Sequence, residues 1–144
     1  MRTKGYQSYF EEDLLEASPL KLVQLLYRGA LDSIASARRY LHLRDIGSRS
    51  RAINKAMSIV TELARSLNVE QGGEMSHNLA LLYGYVERLL IQANFEQRDE
   101  PLAEAERLLS TLAEAWAANC ENEPTAVNKP QARSADYEPV SCAY

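Results

Sequence analysis

The sequence predicts an all-α protein, an antiparallel up-down-up-down four-helix bundle over residues 18–118. Two observations lead to this fold class. Four segments carry apolar residues at steps of three and four, which is the periodicity of one helix face, and no stretch alternates apolar and polar residues with the period of a strand. The connections between these segments are short, and short connections between long helices force neighbouring helices to run antiparallel.

The first helix is predicted to begin at Ser18-Pro19, where a capping hydroxyl precedes a proline at the first helical position. Gly47-Ser48 is predicted to separate the first helix from the second, because both residues interrupt the apolar pattern. Steps averaging near 3.5 residues are typical of helices that pack almost antiparallel. The apolar stripe of this helix consists of Val23, Leu26, Ala30, Ile34, Ala37 and Leu41.

The other three helices carry stripes of the same spacing. Residues 68–73 are predicted to separate the second and third helices. Asp99-Glu100-Pro101 is predicted to open the fourth helix, because acidic groups are stabilised at the positive end of the helix dipole. The stripes are Ile53, Met57, Val60, Ala64 and Leu67, then Met75, Leu79, Leu82, Val86, Leu90 and Ala93, then Leu102, Ala105, Leu109, Leu112 and Trp116.

Two segments flank the predicted bundle. Residues 1–17 are predicted to form an N-terminal arm that lies on the bundle or on a partner, because Tyr6, Tyr9 and Leu14 make it too apolar for a linker and it is too short to fold alone. Residues 119–144 are predicted to form a disordered tail. Most of this tail lacks large aliphatic residues and is rich in proline, so it cannot bury enough surface to offset its ordering entropy.

Composition limits the functional classes that fit the chain. With 46% hydrophobic and 25% charged residues, it has the balance of a soluble globular domain. Cys120 and Cys142 both fall in the predicted tail, where a disulfide would stabilise little, so a reducing compartment is expected. We find neither an apolar signal segment nor a run long enough to span a bilayer, so we expect a cytoplasmic protein without stable membrane insertion.

Basic residues are concentrated between Arg38 and Lys55, although the net charge of the chain is −4. Such a region can contact phosphate or an acidic partner, and it can also be a solvated turn between two helices. We favour the solvated turn. Because the chain as a whole is acidic, nucleic acid is not expected as its main ligand.

The sequence offers little catalytic chemistry. Glu74 and His77 have the Glu-x-x-His spacing that provides two metal ligands in di-iron bundles. Such sites need a second copy of the motif, and the only other histidine, His42, has no glutamate three residues before it. We therefore expect no metal, no cofactor and no enzymatic activity, and a ferritin-like metal protein is the weaker alternative.

The first three helices carry more apolar residues than one packing stripe uses. These residues either widen the core or form a surface that another chain covers, and for most single positions the wider core is the better interpretation. Tyrosines favour the second interpretation, because an apolar ring with a polar tip suits a half-buried groove. The additional residues are Leu22, Leu25, Tyr27, Ile59, Leu63, Leu81, Tyr83, Tyr85 and Leu89.

A series of short motifs along residues 6–118 resembles the flagellin-specific export chaperone family (FliS). Each motif is weak alone, but their order and spacing together are specific. They are Ala17-Ser18-Pro19, Leu22-Val23-x-Leu25-Leu26-Tyr27-x-Gly29-Ala30-Leu31, Arg51-Ala52-Ile53-x-Lys55-Ala56, Ile59-Val60-x-Glu62-Leu63, Ser66-Leu67-Asn68, Gly72-Gly73-Glu74, Asn78-Leu79-x-x-Leu82-Tyr83-x-Tyr85, Ala93-Asn94 and Ala115-Trp116.

The resemblance implies a helical bundle that binds the C-terminal segment of newly made flagellin, prevents its premature polymerisation and delivers it to the flagellar type III export gate. It also implies an N-terminal arm with paired aromatic residues that can cover part of the binding groove. We expect guest contact from the arm, from the exposed side of the first helix and from the third helix. The expected contact residues are Tyr6, Tyr9, Leu14, Leu22, Leu25, Asn78, Leu82 and Tyr85.

Two further expectations concern partners. A generic helical adaptor for an amphipathic helix of another protein is the alternative function, because the apolar groove indicates the mode of binding and only the resemblance indicates flagellin. The same uncovered apolar surface would allow the free protein to form a homodimer.

Overall fold

The computed structural model describes residues 19–122, and within this range it forms a bundle of four helices, which confirms the predicted fold class. The helices are α1 (Pro19–Leu43), α2 (Ile46–Arg65), α3 (Val69–Glu96) and α4 (Asp99–Asn122). Helix α1 packs against α2 and α4, and α3 packs against the same two helices. The order around the bundle is therefore α1, α2, α3, α4. Helix α4 continues past the predicted boundary at residue 118, whereas the predicted arm and residues 123–144 of the predicted tail lie outside the described residues.

The first connection lies at Arg44 and Asp45, so the break predicted at Gly47-Ser48 is wrong. Arg44 has a left-handed backbone with φ 62°, and the Asp45 carboxylate accepts a hydrogen bond of 3.2 Å from the Ser48 backbone N–H. This cap satisfies an N–H that the first turn of a helix leaves without a partner, so Gly47 and Ser48 lie inside α2. The Ser48 hydrogen bonds also hold the pKa of Asp45 below its usual value.

The second connection is shorter than the predicted break at residues 68–73. Asn68 caps α3 by accepting a hydrogen bond of 3.1 Å from the Gln71 backbone N–H, so the helix begins at Val69. Gly73 then interrupts it with φ 57° and ψ −130°, a conformation essentially restricted to glycine. The predicted break is thus an N-cap followed by a kink inside α3.

We expect Gly73→Ala to lower the free energy of unfolding by about 1–3 kcal/mol, because alanine is strained in this backbone conformation even though no atom lies within 4 Å of an added Cβ. Gly84→Ala in the same helix is the matched control. Its Cβ would meet only Nη1 of Arg88 at 3.7 Å, so it should raise stability by about 1 kcal/mol through helix propensity. Urea unfolding followed by far-UV circular dichroism measures both changes. Equal stabilities of the two variants would contradict the left-handed backbone conformation at Gly73.

The core lies between the inward faces of the four helices and contains two tyrosines that the sequence had suggested for a surface groove. Tyr27 and Tyr83 have no exposed side-chain area, and their hydroxyls share a hydrogen bond of 2.5 Å. The Trp116 indole N–H donates a hydrogen bond of 3.1 Å to the Tyr27 hydroxyl. The prediction for these two tyrosines is therefore wrong, because hydrogen bonds between the buried polar tips allow full burial.

Several other positions differ from the predicted stripes. Leu63 and Leu89 are core residues. In α3, Met75 is exposed and Leu82 is half-buried, and Tyr83 occupies the core in place of Leu82. Tyr83 can take this place because a tyrosine ring buries as much apolar surface as a leucine. The other core residues of α3 include four that the stripe predicted, Leu79, Val86, Leu90 and Ala93.

The basic region is only partly the solvated turn that we favoured. Arg38 donates to Asp99 at 2.8 and 2.9 Å and to Glu106 at 2.5 Å, joining the end of α1 to the start of α4. These hydrogen bonds raise the pKa of Arg38 well above its ordinary value. Arg49 is buried, with 4% of its surface exposed. Arg44 and Arg51, in contrast, are exposed.

Candidate partner-binding surfaces

The α1–α2 surface contains Leu22 and Leu25, the two predicted contact residues of α1. Both are half-buried, and they share one helix face with Gly29 because they precede it by seven and four residues. A Cβ added to Gly29 would lie 3.2 Å from Cδ1 of Ile59 in α2, so this face turns towards α2 and allows the two helices to approach closely. Leu22 and Leu25 therefore lie on the side of the bundle where α1 meets α2.

The α3–α4 surface contains the predicted residues of α3. Asn78 is exposed, whereas Leu82 and Tyr85 are half-buried, and their steps of four and three place them on one face. The Tyr85 hydroxyl donates a hydrogen bond of 2.5 Å to the Glu104 carboxylate, so this face turns towards α4. Leu81 precedes Tyr85 by one helical turn and is 60% exposed.

Helix α4 contributes two residues to the α3–α4 surface that the sequence did not predict. Leu108 and Leu112 follow Glu104 by one and two turns, so they continue the face that meets α3, and both are partly buried. Leu112 had been predicted only as part of the core stripe. The sequence signal for a surface residue of this kind is an apolar side chain next to the core stripe, as Leu108 is next to Leu109.

Tyr85 is half-buried and is anchored by its polar tip. Its hydrogen bond to Glu104 raises the pKa of the Tyr85 hydroxyl above its ordinary value. The Arg88 guanidinium carbon lies 5.9 Å from the centre of the ring. The ring is thus held in place between an acidic and a basic side chain, as suits an apolar contact at a partly wet surface.

The predicted contact residues do not form one groove. In the order α1, α2, α3, α4 around the bundle, the α1–α2 surface and the α3–α4 surface lie on opposite sides. Tyr6, Tyr9 and Leu14 lie outside the described residues. A single partner that touches all the described residues must therefore reach around the bundle.

A third group of apolar side chains lies on the side where α2 meets α3. Ile91 is 57% exposed and Phe95 is 85% exposed, which makes Phe95 the most exposed large apolar residue described. Sequence reasoning missed this pair, because both residues lie outside the apolar stripe of α3. Their spacing of four residues in an otherwise polar helix face was the available signal.

The described residues hold little that suggests other chemistry. Glu74 and His77 are exposed, and no group of three or more His, Cys, Asp or Glu side chains between residues 19 and 122 is placed to hold a metal ion. None of the four helices is both long and apolar enough to cross a membrane.

The bundle can be compared with known protein families. The model of a family described as flagellar protein FliS matches residues 2–123, which is most of the chain. The chain belongs to the FliS family. The resemblance inferred from the short motifs is thereby confirmed.

Curated relatives of this FliS-family chain carry the name flagellar secretion chaperone. One from Salmonella typhimurium is 38% identical over 115 residues, which cover 78% of this chain and 85% of the relative. One from Campylobacter jejuni is 33% identical over 85% of this chain and 95% of its own length. A third, called FliSB, from Pseudomonas aeruginosa is 34% identical over 78% of this chain and 90% of its own. Family membership gives the chain a chaperone role in flagellar secretion rather than a catalytic one.

Proposed function

We propose that this FliS-family chain binds the C-terminal segment of flagellin in the cytoplasm, prevents its premature polymerisation and delivers it to the flagellar type III export apparatus. The observation that carries the proposal is the α3–α4 surface, where Leu81 is exposed and Leu82 and Tyr85 are half-buried beside a buried core. A chaperone that keeps a polymerising protein soluble must offer apolar side chains to its guest without rearranging its own core.

The positions of the two surfaces favour a guest that wraps around the bundle. Helix axes in a bundle are about 8–10 Å apart, so opposite sides of the four helices are separated by about 20–25 Å with side chains included. An extended segment of about 40 residues spans up to roughly 130 Å. A flagellin C-terminal segment of this length can therefore reach the α1–α2 surface and the α3–α4 surface together.

A wrapped guest explains how binding can be stable and still reversible. Ordering a segment that is unfolded when free costs conformational entropy, which offsets part of the energy of the apolar contacts. The bundle also covers the apolar face of the guest, so the guest cannot pair with a second flagellin. The N-terminal arm, with Tyr6, Tyr9 and Leu14, is proposed to contact the guest or cover its site, and the loaded complex is proposed to be the form that meets the export gate.

Calorimetric titration of the full chain with flagellin from the same organism tests the proposal. Full-length flagellin should bind with a negative heat-capacity change, which is the mark of apolar burial. Flagellin lacking its last ~40 residues, about the length that the bundle can accommodate, should not bind. The truncated protein is the matched control, because it keeps the rest of flagellin.

Each outcome separates one part of the proposal. Equal binding of the two flagellins would place the guest segment elsewhere in flagellin. No binding of either would contradict flagellin as the guest and leave the family role to another export substrate.

A further inference from the structure

Arg49 is a buried cation without a counterion among the described residues. Only 4% of its surface is exposed, yet none of the ion pairs between residues 19 and 122 includes it. Its Nε donates to the Asn94 side-chain oxygen at 3.2 Å and its Nη2 to the Asn94 backbone oxygen at 3.4 Å. A guanidinium that is removed from water with only neutral partners is poorly compensated, so an anion at this place would be strongly favoured.

The Arg49 side chain lines a cavity of about 470 Å³ between α2 and α3. Ile53 also lines it from α2, whereas Ile91 and Phe95 line it from α3 and are exposed. The Ser50 hydroxyl donates a further hydrogen bond of 3.1 Å to the Asn94 side-chain oxygen. This bond holds Asn94 in place, and Asn94 in turn positions the Arg49 guanidinium. We call these lining residues the Arg49 cleft: a fixed cation at the base with two exposed apolar side chains beside it.

We propose that the Arg49 cleft binds a carboxylate of the flagellin segment, an Asp or Glu side chain with an apolar residue about one helical turn away that packs on Ile91 and Phe95. This inference rests on the proposed function and adds a third contact side to it. Charge complementarity selects the acidic group, because a carboxylate matches the fork of donors on a guanidinium. The exposed Phe95 and Ile91 select an apolar neighbour.

The acidic run of the N-terminal arm precedes α1 and is a less suitable occupant than a separate chain. Helix α1 has 25 residues and is therefore about 37 Å long, and Arg49 follows the turn at its far end. Glu11, the most distant residue of the run Glu11-Glu12-Asp13, is connected to Pro19 by eight residue steps, which extend to at most about 29 Å. Even fully extended, this linkage is shorter than α1, at whose far end the Arg49 cleft lies.

The position of the cleft also suits a guest that passes around the bundle. It lies on the α2–α3 side, between the α1–α2 surface and the α3–α4 surface in the order of the helices. A segment that connects those two opposite surfaces by this route crosses the cleft. Because a buried ion pair has one favourable position, it would also set the register of a guest that is otherwise held by interchangeable apolar contacts.

Arg49→Gln tests the inference in the same calorimetric titration with full-length flagellin. We expect affinity to fall at least about 30-fold, because one side of a buried charge pair is lost. Arg49→Lys should restore part of it. Arg51→Gln is the matched control: Arg51 is exposed, donates only to Ser48 among the described residues and should bind like the wild type.

Phe95→Ser provides a second test that does not depend on the stability of the buried arginine. Because Phe95 is 85% exposed, the variant should fold normally and bind flagellin about fivefold more weakly or worse. Changing the acidic residues of the flagellin segment to amides one at a time should identify one whose loss has no further effect in Arg49→Gln.

The results distinguish this inference from the proposed function. Wild-type binding together with unchanged affinity in Arg49→Gln and Phe95→Ser would overturn the Arg49 cleft and leave the chaperone function intact. Tighter guest binding by Arg49→Gln would also overturn it and assign the cleft to an acidic residue of the chain itself, such as Asp136 or Glu138. Absence of wild-type binding would refute the proposed function and this inference with it.

Discussion

Trp116→Ala is expected to lower the free energy of unfolding by about 3–5 kcal/mol, the range observed when a large aromatic side chain is removed from a core. Trp116 is 1% exposed and is among the largest fully buried side chains described. Its removal leaves a cavity in the core beside α4, which the neighbouring helices can fill only in part. It also removes the indole N–H that donates to the Tyr27 hydroxyl.

Urea unfolding followed by far-UV circular dichroism measures this loss. Trp116→Phe should cost less, about 1–2 kcal/mol, because the ring remains and mainly the hydrogen bond and the outer part of the indole are lost. Leu81→Ala is the exposed control and should stay within about 0.5 kcal/mol of the wild type. A loss below about 1 kcal/mol in Trp116→Ala would show that the indole does not support the packing of α4.

Tyr85→Asp is expected to weaken flagellin binding more than tenfold. Tyrosine is a frequent energetic centre of interfaces, and its loss alone commonly costs more than the ~1.4 kcal/mol that corresponds to a tenfold change. The substitution also places a carboxylate beside Glu104, the present partner of the Tyr85 hydroxyl, so two like charges would lie in the contact area. Titration calorimetry with full-length flagellin measures the change.

Three variants control for effects on the fold. Tyr85→Phe keeps the ring and should bind within about threefold of the wild type, because only the hydroxyl is lost. Leu81→Asp introduces the same charge at a position that is 60% exposed, so it should weaken binding even if Tyr85→Asp were unstable. Ala35→Asp introduces the same charge at an exposed position of α1, one turn before Arg38 on the side that meets α4, and should leave binding unchanged. Normal binding by both Tyr85→Asp and Leu81→Asp would exclude the α3–α4 surface from the guest site.

The expected contact residues show how far sequence reasoning extends at a binding surface. Spacing assigned Leu82 to the core stripe of the third helix and Tyr85 to a position beside it, whereas both are half-buried and share one helix face. Tyr27 and Tyr83 have the same amphipathic chemistry as Tyr85 but are core residues. Only the arrangement of the helices shows which tyrosine hydroxyl meets a buried partner and which meets a carboxylate at the surface. The contact role of all these residues stays a prediction.

Arg49 illustrates a different limit. In the sequence it is one of several basic residues near a turn, and exposure is the usual state of arginine. Its burial depends on Asn94, a residue 45 positions later whose side chain and backbone oxygens both accept from the guanidinium. No local pattern contains that information, because the two residues meet only after α2 and α3 have packed.

By itself the sequence determined the helices and the family. Apolar periodicity, the start of α1 at Pro19 and the acidic opening of α4 at Asp99 are local features, and each depends on residues within a few turns of one another. Tertiary packing decided the rest: that the predicted contact residues divide between opposite sides, that Gly73 is a kink rather than a loop, and that Arg49 is buried. The physical reason is that burial and hydrogen-bond partners belong to pairs of helices, and a helix taken alone does not specify which of its flanks a neighbour will cover.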